Sequence, residues 1–428
     1  MTVSDIIKQM EEKENELKFP NGFLWGTATS SYQIEGGINN CDWAQANRGP
    51  STSSGHQIPD AGRACDSYNK YEEDFDIAKS LGQNAHRFSI EWARIEPEEG
   101  KFDEKEIEHY KKVLDALRTR PHTQDLSVGG TGLEPFVTLW HFTLPVWFAK
   151  MGGFENPKSP EIFSRYCEFV VGKMGDRVHP VKSGEAGAAE RQFNRVKFWV
   201  TINEPMVYAS NGYRKGQWPP FEKNIFRFMK VIKNLIMSHN LAYDKIKNID
   251  PSAQIGIAKN NINFEANWNP INRLLSSFLN FFWNRRFLNK ISQDFIGLNY
   301  YFHKKFGDRA KYPKSDMGWD IYPKGIYNLL MELKKYGKPV YITENGLADK
   351  EDKQRADFIR EHLKWVSRAI RDGSDCRGYF YWSLLDNFEW AEGYKQKFGL
   401  VEINFETMER KIRNSAWEFA KICKNNEI

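Results

Sequence analysis

The sequence predicts a single-domain α/β fold, a closed (β/α)8 TIM barrel. Eight short apolar runs, rich in β-branched and aromatic residues, alternate with longer stretches whose apolar residues recur at three-to-four spacing. Such alternation is typical of parallel β/α units. An open doubly wound sheet would also alternate in this way. No glycine-rich phosphate loop follows the first run, however, which argues against a nucleotide-binding sheet.

The predicted strands and helices follow one another along most of the chain. Strands are predicted at residues 23–29, 84–90, 134–140, 196–203, 254–260, 294–300, 338–344 and 377–383, and the clearest helices at 72–82, 104–118, 160–175 and 355–370. We assign residues 19–428 to the barrel and the charged residues 1–18 to an N-terminal helical extension. Two polar stretches rich in small residues, 119–132 and 180–194, are predicted to be surface loops.

Composition and charge argue against several classes of function. The net charge is +5, from 61 basic and 56 acidic side chains without a dense basic block, so we expect no nucleic-acid partner. The N-terminus lacks the apolar core of a signal peptide, and no apolar run is long enough to cross a bilayer. We therefore expect a cytoplasmic location and no membrane partner. The five cysteines are odd in number and form no CxxC pair, so we expect reduced thiols, no metal and no cofactor. The oligomeric state is left open.

Polar or aromatic side chains stand at the ends of seven of the eight predicted strands. In a barrel of parallel strands these ends meet at one mouth, which is where active sites lie. The side chains concerned are Gln33, Glu35, Arg87, Trp140, His141, Asn203, Glu204, Asn299, Tyr300, Tyr301, Glu344, Asn345 and Trp382. Chance placement seldom produces such convergence, so we expect the site there.

Glu204 and Glu344 are carboxylates that end the fourth and seventh predicted strands. A buried carboxylate is costly unless it is paired or used. A salt bridge at the barrel rim, for example to Arg87, is one interpretation. We favour a catalytic pair, because stiff or turn residues follow both carboxylates, at Pro205 and at Asn345-Gly346. A carboxylate pair without a metal-binding histidine cluster suits glycoside hydrolysis.

Five segments carry a resemblance to a known family: FPNGFLWGTATSSYQIEGG, WVTINEP, DFIGLNYY, VYITENG and WSLLDNFEWAEGY. They resemble glycoside hydrolase family 1, in that family's order, from residue 19 to the C-terminus. The resemblance implies a retaining, exo-acting β-glycosidase that acts on small carbohydrates through a covalent glycosyl-enzyme. It would remove terminal β-D-glucosyl residues, or galactosyl or fucosyl residues. The alternative is a catalytically inactive carbohydrate-binding relative, which the loss of either glutamate would mark.

The resemblance also implies roles for individual residues. Glu204 is expected to be the acid/base and Glu344 the nucleophile. Sugar-binding roles are expected for Gln33, His141, Asn203, Trp319, Trp382, Glu389 and Trp390, with Trp319 on the aglycone side, and nucleophile-supporting roles for Arg87, Asn299 and Tyr301. Taken alone, Gln33 could be a loop cap, His141 a core imidazole and Trp382 simple packing.

The chain departs from the family pattern between the fifth and sixth predicted strands. Residues 261–295 lack a longer segment that carries a WF…DP…G…YP pattern in the family, and run almost directly into the sixth strand. We expect residues 262–292 to be more mobile than the other barrel helices and to leave a wider opening. The alternative is that the aromatic residues there, Trp268, Phe281, Phe282 and Trp283, pack as a compact substitute core.

Two smaller features bear on substrate choice. Glu91 and Ala93 stand where many family members have small polar residues, with no evident effect. After Glu389 the chain reads Trp390-Ala391-Glu392, whereas relatives that act on 6-phosphorylated sugars usually have a small residue in place of this tryptophan. An acidic Glu392 would also repel a 6-phosphate, so we expect a neutral sugar.

Overall fold

The computed structural model describes residues 17–48, 58–119, 132–175, 196–307 and 311–428. Eight parallel strands close into a barrel in chain order, and β8 pairs with β1. The strands are β1 Leu24–Ala28, β2 Ala85–Ser89, β3 Glu134–Thr138, β4 Phe198–Asn203, β5 Gln254–Ala266, β6 Ile296–Phe306, β7 Val340–Asn345 and β8 Cys376–Trp382. The predicted barrel is confirmed. A separate antiparallel pair consists of β9 Val401–Ile403 and β10 Arg410–Ile412.

Helices lie between successive strands. The α-helices are Ser31–Ile34, Asp42–Arg48, Ser67–Ser80, Trp92–Ile95, Glu104–Arg118, Val146–Lys150, Ser159–Gly175, Pro205–Ala209, Ile225–Ile249, Pro270–Leu279, Arg286–Leu288, Lys324–Leu333, Arg355–Arg371 and Asn414–Asn425. Single turns of π-helix occur at Ser210–Lys215 and Asn280–Arg285, and 3-10 turns at Gly153–Glu155, Lys334–Tyr336 and Trp390–Glu392. All four helices predicted from apolar periodicity are present.

Aromatic rings fill the barrel interior below the mouth. Phe136 of β3 stacks on Phe198 of β4 with ring centroids 4.1 Å apart, and Phe380 and Tyr341 contact Phe136 at 4.7 and 5.1 Å. Strand residues that point outward pack instead against the helices, in a larger buried core. Because successive strand residues point to opposite sides, each strand serves both layers. The aromatic layer forms a floor above which polar side chains can gather.

The described start of the chain pairs with its end. Lys18 forms a β-bridge with Glu427, and the backbone N–H of Phe19 donates to the carbonyl of Asn426 at 3.0 Å. Leu17 and Lys18 are therefore not helical, whereas residues 1–16 of the predicted extension lie outside the described residues. The predicted loops 119–132 and 180–194 also lie outside them, apart from residues 119 and 132.

β5 and β6 are longer than predicted. They end at Ala266 and Phe306, and residues 262–266 pair in parallel with residues 302–306. The region between them then forms the helix Pro270–Leu279 and the turns up to Leu288. The region therefore has secondary structure of its own. Its greater mobility stays a prediction.

Other expectations from the sequence concern membranes and thiols. Of the described helices, none has both the length and the apolarity that spanning a bilayer requires. All five cysteines are buried and unpaired.

Candidate active site

Glu204 lies at the junction of β4 and the helix Pro205–Ala209. Its backbone is left-handed, with φ 42° and ψ 58°, and its N–H donates to the carbonyl of Ala258 on β5 at 2.7 Å. A left-handed conformation costs a non-glycine residue about 1–3 kcal/mol. Pro205 suits the first helical position, which needs no N–H donor. The fold therefore turns the chain sharply and presents the Glu204 carboxyl at the mouth, 8% exposed.

Glu344 lies near the end of β7, and both of its oxygens are engaged. Nη1 of Arg87 donates to Oε1 at 2.6 Å, and the Tyr301 hydroxyl donates to Oε2 at 2.9 Å. Arg87 is fully buried on β2 and is itself fixed, because Nε donates to Thr138 at 3.0 Å and Nη2 to Oδ1 of Asn203 at 2.7 Å. A guanidinium held in this way stabilises the ionised form of Glu344.

Glu204 has amide neighbours instead of a guanidinium. The side-chain amides of Asn299 and Asn260 donate to its Oε1 at 2.9 and 3.1 Å. Among the described residues, Oε2 has no hydrogen-bond partner. Neutral donors stabilise a carboxylate less than a cation does, so the two carboxyls have unequal surroundings.

The pKa values of the two carboxyls follow these surroundings. Burial raises the pKa of Glu204 to about 8, and the negative charge of Glu344 adds to this effect. Burial also raises the pKa of Glu344, but the Arg87 charge and the donors Arg87, Tyr301 and Asn299 oppose the rise. One proton shared by the pair therefore resides on Glu204.

His141 and Asn203 form a fixed donor pair in the wall of the cavity. The Asn203 amide donates to Nε2 of His141 at 3.0 Å. Burial, with the Arg87 charge second, lowers the pKa of His141 well below its usual value, so the ring is neutral. Its single proton must then sit on Nδ1. Within the described part of the chain, this buried Nδ1 has no partner, which leaves it free to donate to a ligand hydroxyl.

Gln33 and Glu389 belong to one hydrogen-bonded group. Ser30 donates to Oε1 of Gln33 at 2.6 Å, and Nε2 of Gln33 donates to the carbonyl of Phe388 at 2.8 Å and to Asn387 at 3.0 Å. Glu389 lies 3.5 Å from the same Nε2. Burial and then the charges of nearby carboxyls raise the pKa of Glu389 to about 8. This group offers both donors and acceptors to a polyhydroxylated ligand.

The remaining walls are aromatic. The rings of Trp382 and Trp390 stand 5.9 and 6.0 Å from the His141 ring, nearly parallel to it. Trp319 packs on Phe302 at 4.6 Å. The cavity has a volume of about 720 Å³ and is lined by His141, Phe142, Asn203, Glu204, Trp218, Asn260, Tyr301, Phe302, Met317, Trp319, Glu344, Trp382, Glu389, Trp390 and Phe398, among others. Its size and mixed lining suit a small, partly polar ligand.

The structure brings all the expected site residues together. Glu204, Glu344, His141, Asn203, Trp319, Trp382, Glu389, Trp390 and Tyr301 line the cavity, and Gln33, Arg87 and Asn299 hold its lining residues from behind by hydrogen bonds. Asn299 serves both carboxyls, because its amide lowers the pKa of each.

Four other strand-end residues do not face the cavity. Glu35 accepts hydrogen bonds from Arg94 at 2.9 Å and Tyr110 at 2.8 Å, outside the barrel. Three more support the backbone: Trp140 donates to the Thr143 carbonyl, Tyr300 to the Tyr322 carbonyl and Asn345 to the Tyr300 carbonyl. For Tyr300 and Asn345, which lie in β6 and β7, the physical reason is that neighbouring residues of a strand point to opposite sides. Trp140 lies beyond the end of β3.

Sequence reasoning missed Asn260 and Lys259. Asn260 ends the predicted fifth strand, the one strand end to which no site residue had been assigned, and this gap was the available signal. Lys259 is fully buried, and its Nζ donates to the Asn260 carbonyl at 2.6 Å. Burial lowers the pKa of Lys259 to about 7. A lysine within an apolar strand was the only sequence signal for it.

This arrangement defines a class of protein. A (β/α)8 barrel with an anionic and a protonated carboxyl at its mouth, between hydroxyl-binding and aromatic groups, is a glycosidase. The profile of glycosyl hydrolase family 1 matches residues 15–183, 188–277 and 279–428, and the chain belongs to that family. It is a β-glycosidase, and the family acts with retention of configuration.

Characterised relatives match over nearly their whole length. The chain is 34% identical to beta-glucosidase A of Thermotoga maritima, over 97% of this chain and 99% of that protein. It is 34% identical to the 1,4-beta-D-glucan glucohydrolase of Thermotoga neapolitana, over 96% and 99%. A beta-glycosidase structure from Pyrococcus horikoshii superposes with a TM-score of 0.82 at 36% identity, covering 96% of each chain. The T. maritima beta-glucosidase in complex with glucoimidazole gives a TM-score of 0.83 at 32% identity, covering 96% of this chain and 100% of that one.

Proposed function

We propose that this β-glycosidase removes terminal, non-reducing β-D-glucosyl residues from small carbohydrates in the cytoplasm, with Glu344 as nucleophile and Glu204 as acid/base. The observation that carries the assignment is the unequal support of the two carboxyls. Arg87 and Tyr301 donate to separate oxygens of Glu344, whereas the donors to Glu204 among the described residues are the amides of Asn299 and Asn260. A nucleophile must be anionic, and an acid must hold a proton.

In the first step the anion of Glu344 attacks the anomeric carbon of the substrate. The bond from that carbon to a Glu344 oxygen forms as its bond to the aglycone oxygen breaks. Glu204 transfers its proton to the departing oxygen, which leaves as an alcohol. Glu204 is then an anion, while the charge of Glu344 has been consumed in the ester.

In the second step water displaces Glu344 from the sugar. The Glu204 carboxylate accepts the water proton, a bond forms between the anomeric carbon and the water oxygen, and the ester bond breaks. Two displacements from opposite faces return the β configuration. A direct displacement by Glu344 requires carboxyl groups about 5–5.5 Å apart, and we predict that separation here.

The sugar-binding roles rest on the hydrogen-bonding capacity of the walls. Nδ1 of His141 offers a donor, and Glu389, held near Gln33, offers a carboxyl that can donate or accept. The indoles of Trp382 and Trp390 offer apolar surface for a pyranose ring. Trp319, beside Phe302, would contact the aglycone.

A neutral sugar suits this pocket better than a phosphorylated one. Burial raises the pKa of Glu389, and nearby carboxylates, Glu344 first and Glu392 also, raise it further. A sugar phosphate would bring further negative charge into this acidic end of the cavity. The names of the relatives above favour glucosides as the first choice.

A panel of nitrophenyl glycosides tests this function. We expect turnover of the β-glucoside, with less from the β-galactoside and β-fucoside and none from a 6-phospho-β-glucoside. NMR of the first-formed product should show the β-anomer. Glu344→Gln, which keeps the size of the side chain, is the control for contaminating activity. An α-anomer would overturn the two-step mechanism. A total lack of turnover would instead favour the alternative, a catalytically inactive carbohydrate-binding relative.

A further inference from the structure

The helix Pro270–Leu279 carries its apolar face on the outside. Ile271, Leu274, Leu275 and Phe278 are 74%, 73%, 41% and 58% exposed. Their spacing of three, four and seven residues places them on one side of the helix. A helix at the surface of a globular protein normally turns such a stripe toward the core. Here the stripe faces solvent.

The opposite side of this helix is polar and faces the protein. Asn272 and Ser276 in the helix, and Asn280 and Asn284 in the turn that follows it, stand at intervals of four residues, and Ser276 and Asn284 are buried. Asn284 donates to the carbonyl of Ile262 on β5 at 2.8 Å and to Asn280 at 2.6 Å. These hydrogen bonds fix the rotation of the helix about its axis. The outward orientation of the apolar stripe is therefore built into the fold.

Further apolar side chains extend the stripe. Trp268, just before the helix, is 92% exposed, and Phe281, just after it, is 50% exposed. We call these two residues and the stripe Ile271, Leu274, Leu275 and Phe278 the apolar face. The next residue, Phe282, packs on Phe228, which belongs to the helix Ile225–Ile249. The first turn of that helix adds Ile225 and Phe226, which are 52% and 82% exposed.

The chain segment that carries the apolar face has a net positive charge. Residues 267–293 contain no aspartate or glutamate, and they contain the four basic residues Arg273, Arg285, Arg286 and Lys290. Arg285 pairs with Glu332 of a neighbouring helix, whereas Arg273 and Lys290 are exposed. A surface with exposed tryptophan, phenylalanine and leucine beside cations complements a layer that is apolar inside and anionic outside.

We propose that the apolar face docks on an anionic lipid bilayer, with the helix Pro270–Leu279 lying in the plane of the interface. The stripe enters the boundary between head groups and acyl chains, while Arg273 and Lys290 meet lipid phosphates. The expectation of no membrane partner rested on the lack of a spanning segment, which a surface contact does not need. β5 leads directly to Trp268 from the mouth end of the barrel, so docking would bring the active-site side toward the bilayer.

A second copy of the chain fits this face less well. In a two-fold contact each residue of the face meets the same patch on its partner, so the arginines and lysines of the two copies would face one another. Without acidic residues in 267–293, the patch cannot neutralise that charge by pairing with itself. Anionic lipid supplies the missing opposite charge.

Vesicle flotation tests the proposal. The probe is a vesicle of phosphatidylcholine with roughly one third phosphatidylglycerol, compared with phosphatidylcholine alone. We expect the wild-type protein to float with the anionic vesicles, and to do so less in high salt. Leu274→Ser combined with Phe278→Ser should lower vesicle partitioning about tenfold or more. Arg273→Glu should lower it less and remove part of the salt dependence.

The matched control changes two apolar residues exposed elsewhere. Met237→Ser with Trp417→Ser alters side chains that are each 44% exposed, on the helices Ile225–Ile249 and Asn414–Asn425. It should float like the wild type. All variants should keep kcat/KM for a nitrophenyl glucoside, which shows that the barrel is folded. Wild-type protein that fails to float, or equal flotation of the apolar-face variant, overturns the proposal. The proposal is also overturned if the wild-type protein is a dimer that binds no vesicles and the apolar-face variant is a monomer.

Discussion

Nη1 of Arg87 donates to Oε1 of Glu344 across 2.6 Å, and both side chains are buried at the mouth of the barrel. Arg87 cannot move away to solvent, because Thr138 and Asn203 hold its other nitrogens. The guanidinium is thus a fixed positive charge against one carboxyl of the pair. It decides which of Glu204 and Glu344 gives up its proton first.

Replacing Arg87 by Met should disable the nucleophile. Without the cation, burial raises the pKa of Glu344 further, so the anion forms only at higher pH. We expect kcat/KM to fall by about 100-fold or more and the acidic limb of its pH profile to move to higher pH. Arg87→Lys keeps the positive charge but loses the planar guanidinium with its several N–H donors, so it should retain more activity than Arg87→Met. Thermal melts of both variants check the fold. An acidic limb that stays in place would contradict this role.

Azide should separate the roles of the two carboxyls. In Glu204→Ala the first step should survive for substrates with good leaving groups, which need little protonation. The second step should be slow, because water lacks its base. Azide needs no base, so it should restore turnover and yield the β-glycosyl azide. In Glu344→Ala azide should attack directly and yield the α-glycosyl azide.

Product NMR of the two azide reactions provides the check. The same anomer from both variants would refute the assignment, and so would full activity of Glu204→Ala on substrates with poor leaving groups. Gln254→Ala, at the start of β5 and far along the strand from the mouth, serves as a control that azide should leave unaffected.

The sequence predicted the barrel and most of the site because both depend on local patterns. Strand ends meet at one mouth in any parallel barrel, so Glu204 and Glu344 could be brought together without coordinates. The face of each side chain was harder to predict. Glu35, Trp140, Tyr300 and Asn345 stand near site residues in the chain but point elsewhere. For Tyr300 and Asn345 the reason is that a shift of one residue reverses the side of a strand, whereas Glu35 and Trp140 lie outside the strands.

Other features depend on long-range packing. The outward rotation of the helix Pro270–Leu279 is set by Asn284, which reaches the backbone of β5. Apolar periodicity alone would have turned its stripe inward. Lys259 is buried where the turn after the helix Pro270–Leu279 places the centre of the Trp283 ring 5.6 Å from its Nζ. Neither contact has a local signature.

The alkaline limb of the pH profile of kcat/KM should reflect the loss of the proton from Glu204, the acid. Glu204 must be protonated for the first step, and its pKa is raised to about 8. We therefore expect kcat/KM for an alkyl β-glucoside, a poor leaving group, to fall as pH rises through about 8. With a dinitrophenyl glucoside, which needs no acid, the fall should be weak. In Glu204→Gln the upper limb should vanish. An upper limb that is equally steep for both substrates would contradict this prediction.

The last prediction concerns stability and Lys259. Burial lowers the pKa of this lysine from 10.5 to about 7, so the unfolded chain binds more protons than the folded chain between those values. Stability should therefore rise with pH across this window as the cost of the buried charge disappears.

Lys259→Met removes that cost, and it should stabilise the protein by about 1–4 kcal/mol at pH 7 and below. The gain should shrink toward pH 10.5, above which the wild-type lysine is mostly neutral in both states. Urea unfolding at several pH values measures the difference, with the exposed Lys364→Met as a control that should change little at any pH. A constant gain, or a loss at neutral pH, would show that the Lys259 ammonium is better accommodated by the Asn260 carbonyl and the Trp283 ring than its burial implies.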